Sequence, residues 1–123
     1  MIGEKGEFLK EIKRDLPKNV NFQYIKKKNS PTIIKKRFID NSGNNKILGV
    51  YKINDEVLSG KDEKLFNNML KKTIPKYDLI IVSDYGHGLI SSKSANLICK
   101  LSKYLALNAQ INAANVGYHS MRN

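Results

Sequence analysis

Apolar positions along the chain recur with two periods, and each period marks a different kind of element. Phe8, Leu9, Ile12 and Leu16 fall at helical spacing and end at Pro17, which predicts a short amphipathic helix. Val20, Phe22 and Tyr24 alternate with Asn21 and Gln23, the pattern of a half-exposed strand over Val20–Ile25, with Lys26–Lys28 as its solvated end. Thr32–Ile39 and Lys46–Ile53 are β-rich runs separated by Asp-Asn-Ser-Gly-Asn-Asn, where Gly43 is free to take positive φ, and together they predict a hairpin. Its charges alternate with Ile and Phe, so one face is expected to be solvated or to cover a ligand. Leu65, Phe66, Met69 and Leu70 then mark a helix that ends before Pro75.

The rest of the chain is organised around residues 77–113. Leu79, Ile80, Ile81 and Val82 form a continuous apolar run, as expected of a parallel strand buried on both faces. A polar loop, Asp84–Gly88, follows. Ser91 and Ser92 are good N-cap types, and Ala95, Ile98, Leu101 and Leu105 recur at helical spacing. Ala109–Ala113 can return as the next parallel strand, because a helical crossover is the usual link between parallel neighbours. The expected fold class is α/β: part of a parallel sheet with covering helices, plus a hairpin over residues 31–54. The expected organisation is a single partial domain over residues 1–123. Ligands of open α/β sheets bind beyond the carboxyl ends of the strands, which singles out Asp84–Gly88 and Asn112–Gly117.

The formal charge of +11 raises nucleic acid as a partner. Yet the chain has 19 Lys, 14 Asn and 14 Ile against 3 Arg, a bias toward A/T-rich codons, so nucleic acid is not expected. Cys99 is alone, which excludes an intramolecular disulfide, and the helical pattern places it toward the core as a small hydrophobe. No run approaches the ~18 to 20 apolar residues of a membrane span, and the N-terminus has no apolar signal core, so a cytoplasmic protein is expected. Neither a Gly-x-Ser-x-Gly elbow nor a phosphate-binding Gly-Lys-Ser/Thr loop is present.

Several residues are candidates for chemistry, each with a plainer role beside it. Asp84 can bind hydroxyls, orient a water on Mg²⁺, or accept N–H groups of its own loop. Gly86 and Gly88 permit tight turns whose N–H groups can face a phosphate before the helix at Ser91. His87 can donate to a phosphate or stand solvated on the loop. Lys35 and Arg37 share one face of the first hairpin strand, with Lys36 on the other, and suit either an anion or the discouragement of edge aggregation. Asn112 and Asn115 suit phosphate contacts or ordinary turns.

Ser30-Pro-Thr-Ile-Ile-Lys-Lys-Arg37, the hairpin ending near Asp55, Ser83-Asp-Tyr-Gly-His-Gly88 and the Asn-rich strand end at Asn112–Gly117 together resemble the middle of a ribokinase-type (PfkB) carbohydrate kinase. The likeness lies nearest the heptose-phosphate kinases and the sugar-kinase domains joined to a cytidylyltransferase. The chain departs from that branch at His87, where the branch has Lys, and at Asn112, where an Asp is common.

The resemblance implies a ribokinase-like sheet with the hairpin as a lid, ATP and Mg²⁺ as cofactors, and a sugar or sugar phosphate as substrate. It places Asp84, His87, Lys35 and Arg37 on the substrate side, and Gly86, Gly88, Asn112 and Asn115 on the phosphate or nucleotide side. It assigns no metal ligand. The family's acidic sugar-binding strand and its Gly-Ala-Gly-Asp stretch, which carries the catalytic Asp, do not occur in the sequence. The expectation is therefore an internal piece of such a kinase, with no catalytic residue and no activity of its own. A homodimer through the hairpin and a linked cytidylyltransferase domain are the implied partners. The alternative reading is a non-catalytic binding or assembly module that uses the hairpin.

Overall fold

The computed structural model describes residues 1–110. They are mixed α/β, with three two-stranded sheets and three α-helices among the described residues. The chain divides into two compact units, Met1–Asn54 and the part from Asp55 onward.

In the first unit, β1 (Ile2–Gly3) pairs in parallel with β2 (Lys26–Lys27), and Ile2 and Ile25 are buried there. The expected strand over Val20–Ile25 does not form, because only the two residues after it find a partner. Phe22 and Tyr24 instead stack on each other with centroids 5.5 Å apart. The lysines after them are not a uniformly solvated strand end: Lys27 is buried, and its Nζ donates to the Asn54 carbonyl at 2.8 Å and to Asn54 Oδ1 at 3.3 Å. Gly3 is required by a close approach, since a Cβ there would lie 2.1 Å from the Thr32 backbone nitrogen. The predicted first helix appears as α1 (Leu9–Asp15), ending at Leu16 just before Pro17.

The expected hairpin is present in this unit. Strands β3 (Ile34–Ile39) and β4 (Lys46–Lys52) pair antiparallel, with Lys35 opposite Tyr51, Arg37 opposite Gly49 and Phe38 opposite Leu48, and with a register shift between Phe38 and Ile39. Residues opposite each other share a face. One face therefore carries Phe38, Leu48 and Val50 with Lys36 and Lys52, and the other carries Lys35, Arg37 and Tyr51. Both faces are largely exposed.

The second unit holds a small core of Ile74, Val82, Ile90, Ala95 and Ile98, flanked by Leu70, Ile80, Leu89 and Leu101. It is built from α2 (Gly60–Thr73), a 3₁₀ turn (Ile74–Lys76), β5 (Leu79–Asp84), α3 (Ser92–Leu101) and β6 (Tyr104–Ala109). β5 and β6 pair in parallel from Leu79 opposite Tyr104 to Asp84 opposite Ala109, so the expected strand–helix–strand unit is present. Its second strand comes earlier than expected. Leu101 and Leu105 sit at helical spacing, but Ser102 is extended and ends α3, which leaves Leu105 inside β6. The expected strand residues 111–113, and the candidates Asn112 and Asn115, lie outside the described residues.

Two expectations about burial are corrected. β5 is covered on one face only: Val82 and Asp84 are buried, whereas Leu79 is 55% and Ile81 71% exposed. Cys99 is exposed, because the buried stripe of α3 runs through Ser94, Ala95 and Ile98 and turns residue 99 away from the core.

Candidate functional site

The loop at the carboxyl end of β5 holds four of the sequence candidates, Asp84, Gly86, His87 and Gly88. Asp84, the last residue of β5, is buried, and its Oδ1 accepts the Gly86 N–H at 2.9 Å. Its carbonyl also accepts the Gln110 N–H at 2.8 Å, which ties the end of β6 to the end of β5. The carboxylate thus shapes its own loop. Gly86 and Gly88 both take left-handed backbone, φ +70° and +78°, as the loop's two reversals require.

A segment that the sequence pattern marked only as polar loop closes over this turn. The Leu58 N–H donates to the Gly88 carbonyl at 2.7 Å, and a Cβ on Gly88 would lie 2.1 Å from the Glu56 carbonyl oxygen. Asp55 completes the strap: its Oδ1 is 2.8 Å from His87 Nδ1. A carboxylate only accepts, so the imidazole donates from Nδ1. The His87 side chain is 14% exposed, and its Nε2 is enclosed with no hydrogen-bond partner among the described residues. His87 is therefore held inward by Asp55 and does not stand free on the loop. Asp55, Glu56 and Leu58 were not found from sequence, because contacts about 30 residues apart in loop backbone leave no periodic signal.

Helix α3 begins just after the loop. Its first turn is capped by its own serine, the Ser91 hydroxyl accepting the Ser94 N–H at 3.2 Å, and the Ser94 hydroxyl donates to Asn67 Oδ1 at 2.7 Å. That capping takes up a donor which a phosphate would otherwise use.

Lys35 and Arg37 belong to the hairpin of the first unit, away in sequence from the Asp84 loop. On their face, the Lys35 and Lys46 ammonium groups lie 5.9 and 5.8 Å from the centre of the Tyr51 ring, and Lys46 Nζ donates to the Tyr51 hydroxyl at 3.3 Å. Lys46, first through that hydrogen bond and then through its charge, holds the Tyr51 phenol below its usual pKa. Gly49 allows the arrangement, since a Cβ there would meet the phenol oxygen at 2.9 Å.

A second polar cleft lies in the first unit, lined by Glu4, Lys5, Glu7, Asn29, Ser30 and Lys52. Both of its carboxylates are engaged by the wall itself. Glu4 accepts the Asn29 N–H and Glu7 the Thr32 N–H, each at 3.0 Å. The Thr32 backbone bond is the main reason that Glu7 titrates below the ordinary carboxylate range. Among the described residues no three His, Cys, Asp or Glu side chains come together as metal ligands, and no helix is long and apolar enough to cross a membrane. Comparison of the chain with protein-family models, with curated proteins and with solved structures gives no match.

Proposed function

We propose that the chain is part of an ATP-dependent carbohydrate kinase, and that the Asp84–Gly88 loop lies on the side of the sugar or sugar-phosphate acceptor. The observation that carries this reading is the position of the loop: a buried carboxylate ends a parallel strand, and two glycines in left-handed conformation turn the backbone over it before a helix begins. Phosphoryl transfer depends on positioning and charge stabilisation more than on covalent chemistry, and a preorganised loop at a strand's carboxyl end is suited to holding an acceptor hydroxyl. ATP and Mg²⁺ belong to the proposal through the sequence resemblance alone. The nucleotide-side candidates Asn112 and Asn115 lie outside the described residues, and no step is assigned to them.

The test is phosphoryl transfer from ATP to a panel of hexose and heptose phosphates, measured on the reading frame extended through its flanking coding DNA. Asp84→Asn is expected to lower kcat/KM by at least about tenfold, ~1.4 kcal/mol, because a carboxylate contact is charge-assisted and the Gly86 turn weakens with it. Lys76→Ala, in the 3₁₀ turn before β5, is the control. If the two variants behave alike, the loop is structural and the assignment fails.

The exposed apolar face of the hairpin favours a second reading, an assembly module. Phe38, Leu48 and Val50 are each about half exposed on one side of a two-stranded ribbon, and such a ribbon is marginal alone. A dimer through this face would appear in light scattering at micromolar concentration and dissociate on Leu48→Glu. A monomer unaffected by that change removes the reading.

A further inference from the structure

Hairpin residues Ile34–Lys52 include five cations, Lys35, Lys36, Arg37, Lys46 and Lys52, against one carboxylate, Asp40. Both carboxylates near the hairpin are already engaged. Lys52 lies 3.8 Å from Glu7, and Asp40 is engaged by the Ser42 backbone and hydroxyl within the turn. Lys35, Arg37 and Lys46 have no ion-pair partner among the described residues, and they converge on the face that carries Tyr51. Of the five, Lys36 and Lys52 lie on the opposite face with Phe38, Leu48 and Val50, and the other three share the face of Tyr51.

We propose that this Lys35–Arg37–Lys46 face binds the phosphate backbone of a nucleic acid, independently of sequence. Like charges side by side on a strand repel, and a polyanion removes that cost while releasing its own counterions. Lys35 and Arg37 are two residues apart on one strand, so their α-carbons are separated by about 6.7 Å of rise, close to the step between successive phosphates of one nucleic-acid strand. The Lys35 and Lys46 ammonium groups stand over the Tyr51 ring, so the face presents charge to the backbone and no group suited to base readout is assigned to it. This inference departs from the expectation drawn from composition and does not rest on the kinase reading.

The experiment is fluorescence anisotropy of a labelled single-stranded oligonucleotide with the full chain, from about 50 to about 200 mM salt. Lys35→Gln/Arg37→Gln/Lys46→Gln is expected to weaken binding at least about tenfold and to flatten the log Kd against log salt slope by ~2, three contacts at about 0.7 each. Lys10→Gln/Lys18→Gln/Lys64→Gln removes the same charge from exposed sites outside the hairpin and is expected to change both far less. Arg37→Gln alone should flatten the slope by ~0.7, which keeps the test valid if the triple variant fails to fold. Equal losses from both triple variants, no loss from the hairpin triple, or competition by polyglutamate as effective as by unlabelled oligonucleotide would each overturn the proposal.

Discussion

Ile98→Ala is expected to lower the unfolding free energy by about 2–5 kcal/mol, whereas Ile81→Thr is expected to change it by no more than about 0.5 kcal/mol. The two isoleucines differ in surroundings and not in chemistry. Ile98 is 3% exposed in the cluster with Ile74, Val82, Ile90 and Ala95, so truncation removes buried methyl groups and leaves a cavity. Ile81 is 71% exposed on the uncovered face of β5, and Thr keeps its β-branched shape. Against a typical net stability of about 5–15 kcal/mol, the first change is enough to depopulate the folded state. Urea unfolding followed by circular dichroism measures both. A cost for Ile81→Thr as large as that for Ile98→Ala would mean that another layer covers the face in solution.

Gly88→Ala is expected to be the most disruptive single-atom change at the candidate site. Left-handed backbone at a residue with a side chain costs ~1–3 kcal/mol by itself. The new Cβ would also fall 2.1 Å from the Glu56 carbonyl oxygen and 2.9 Å from that of Asp55, and these are backbone atoms that cannot rotate away. The strap must then lift, and the Leu58-to-Gly88 hydrogen bond and the Asp55–His87 contact should be lost together. Expected are a Tm lowered by several degrees, on the scale of ~4–8 °C per kcal/mol for a small domain, and an imidazole resonance that shifts toward that of a solvated histidine. Gly60→Ala, also at positive φ but with open space around it, should show only the conformational cost. If the two substitutions cost the same, the strap does not press on the loop.

Local periodicity made much of the second unit legible. The apolar run of β5, the serine cap at Ser91 and the 95–98–101 stripe are contact patterns written within a dozen residues, and each formed where expected. The end of α3 was misplaced because Leu101 and Leu105 keep helical spacing across a chain reversal, and leucine suits both a helix and a strand. Strand Val20–Ile25 shows the opposite failure. Its alternation is sound, but a strand exists only through a partner, and β1 offers two residues, which pair with Lys26 and Lys27.

At the candidate site, the residue types were legible and their partners were not. Asp84, Gly86, His87 and Gly88 sit together at the end of β5 because they are consecutive, whereas the Asp55–Leu58 strap reaches them from about 30 residues away. On the hairpin, alternation separated Lys36 from Lys35 and Arg37. The addition of Lys46 and Tyr51 to that face depends on the pairing register and on Gly49, which no single-strand pattern contains.

The central claim, that the Asp84–Gly88 loop lies on the acceptor side of a sugar kinase, is tested most directly by ¹H–¹⁵N NMR of the chain titrated with a heptose phosphate. The account predicts saturable shifts of the Gly86, His87 and Gly88 amides that are absent when inorganic phosphate replaces the sugar phosphate and are lost in Asp84→Asn. Shifts confined to other residues, or none at millimolar ligand with the spectrum otherwise folded, would contradict it.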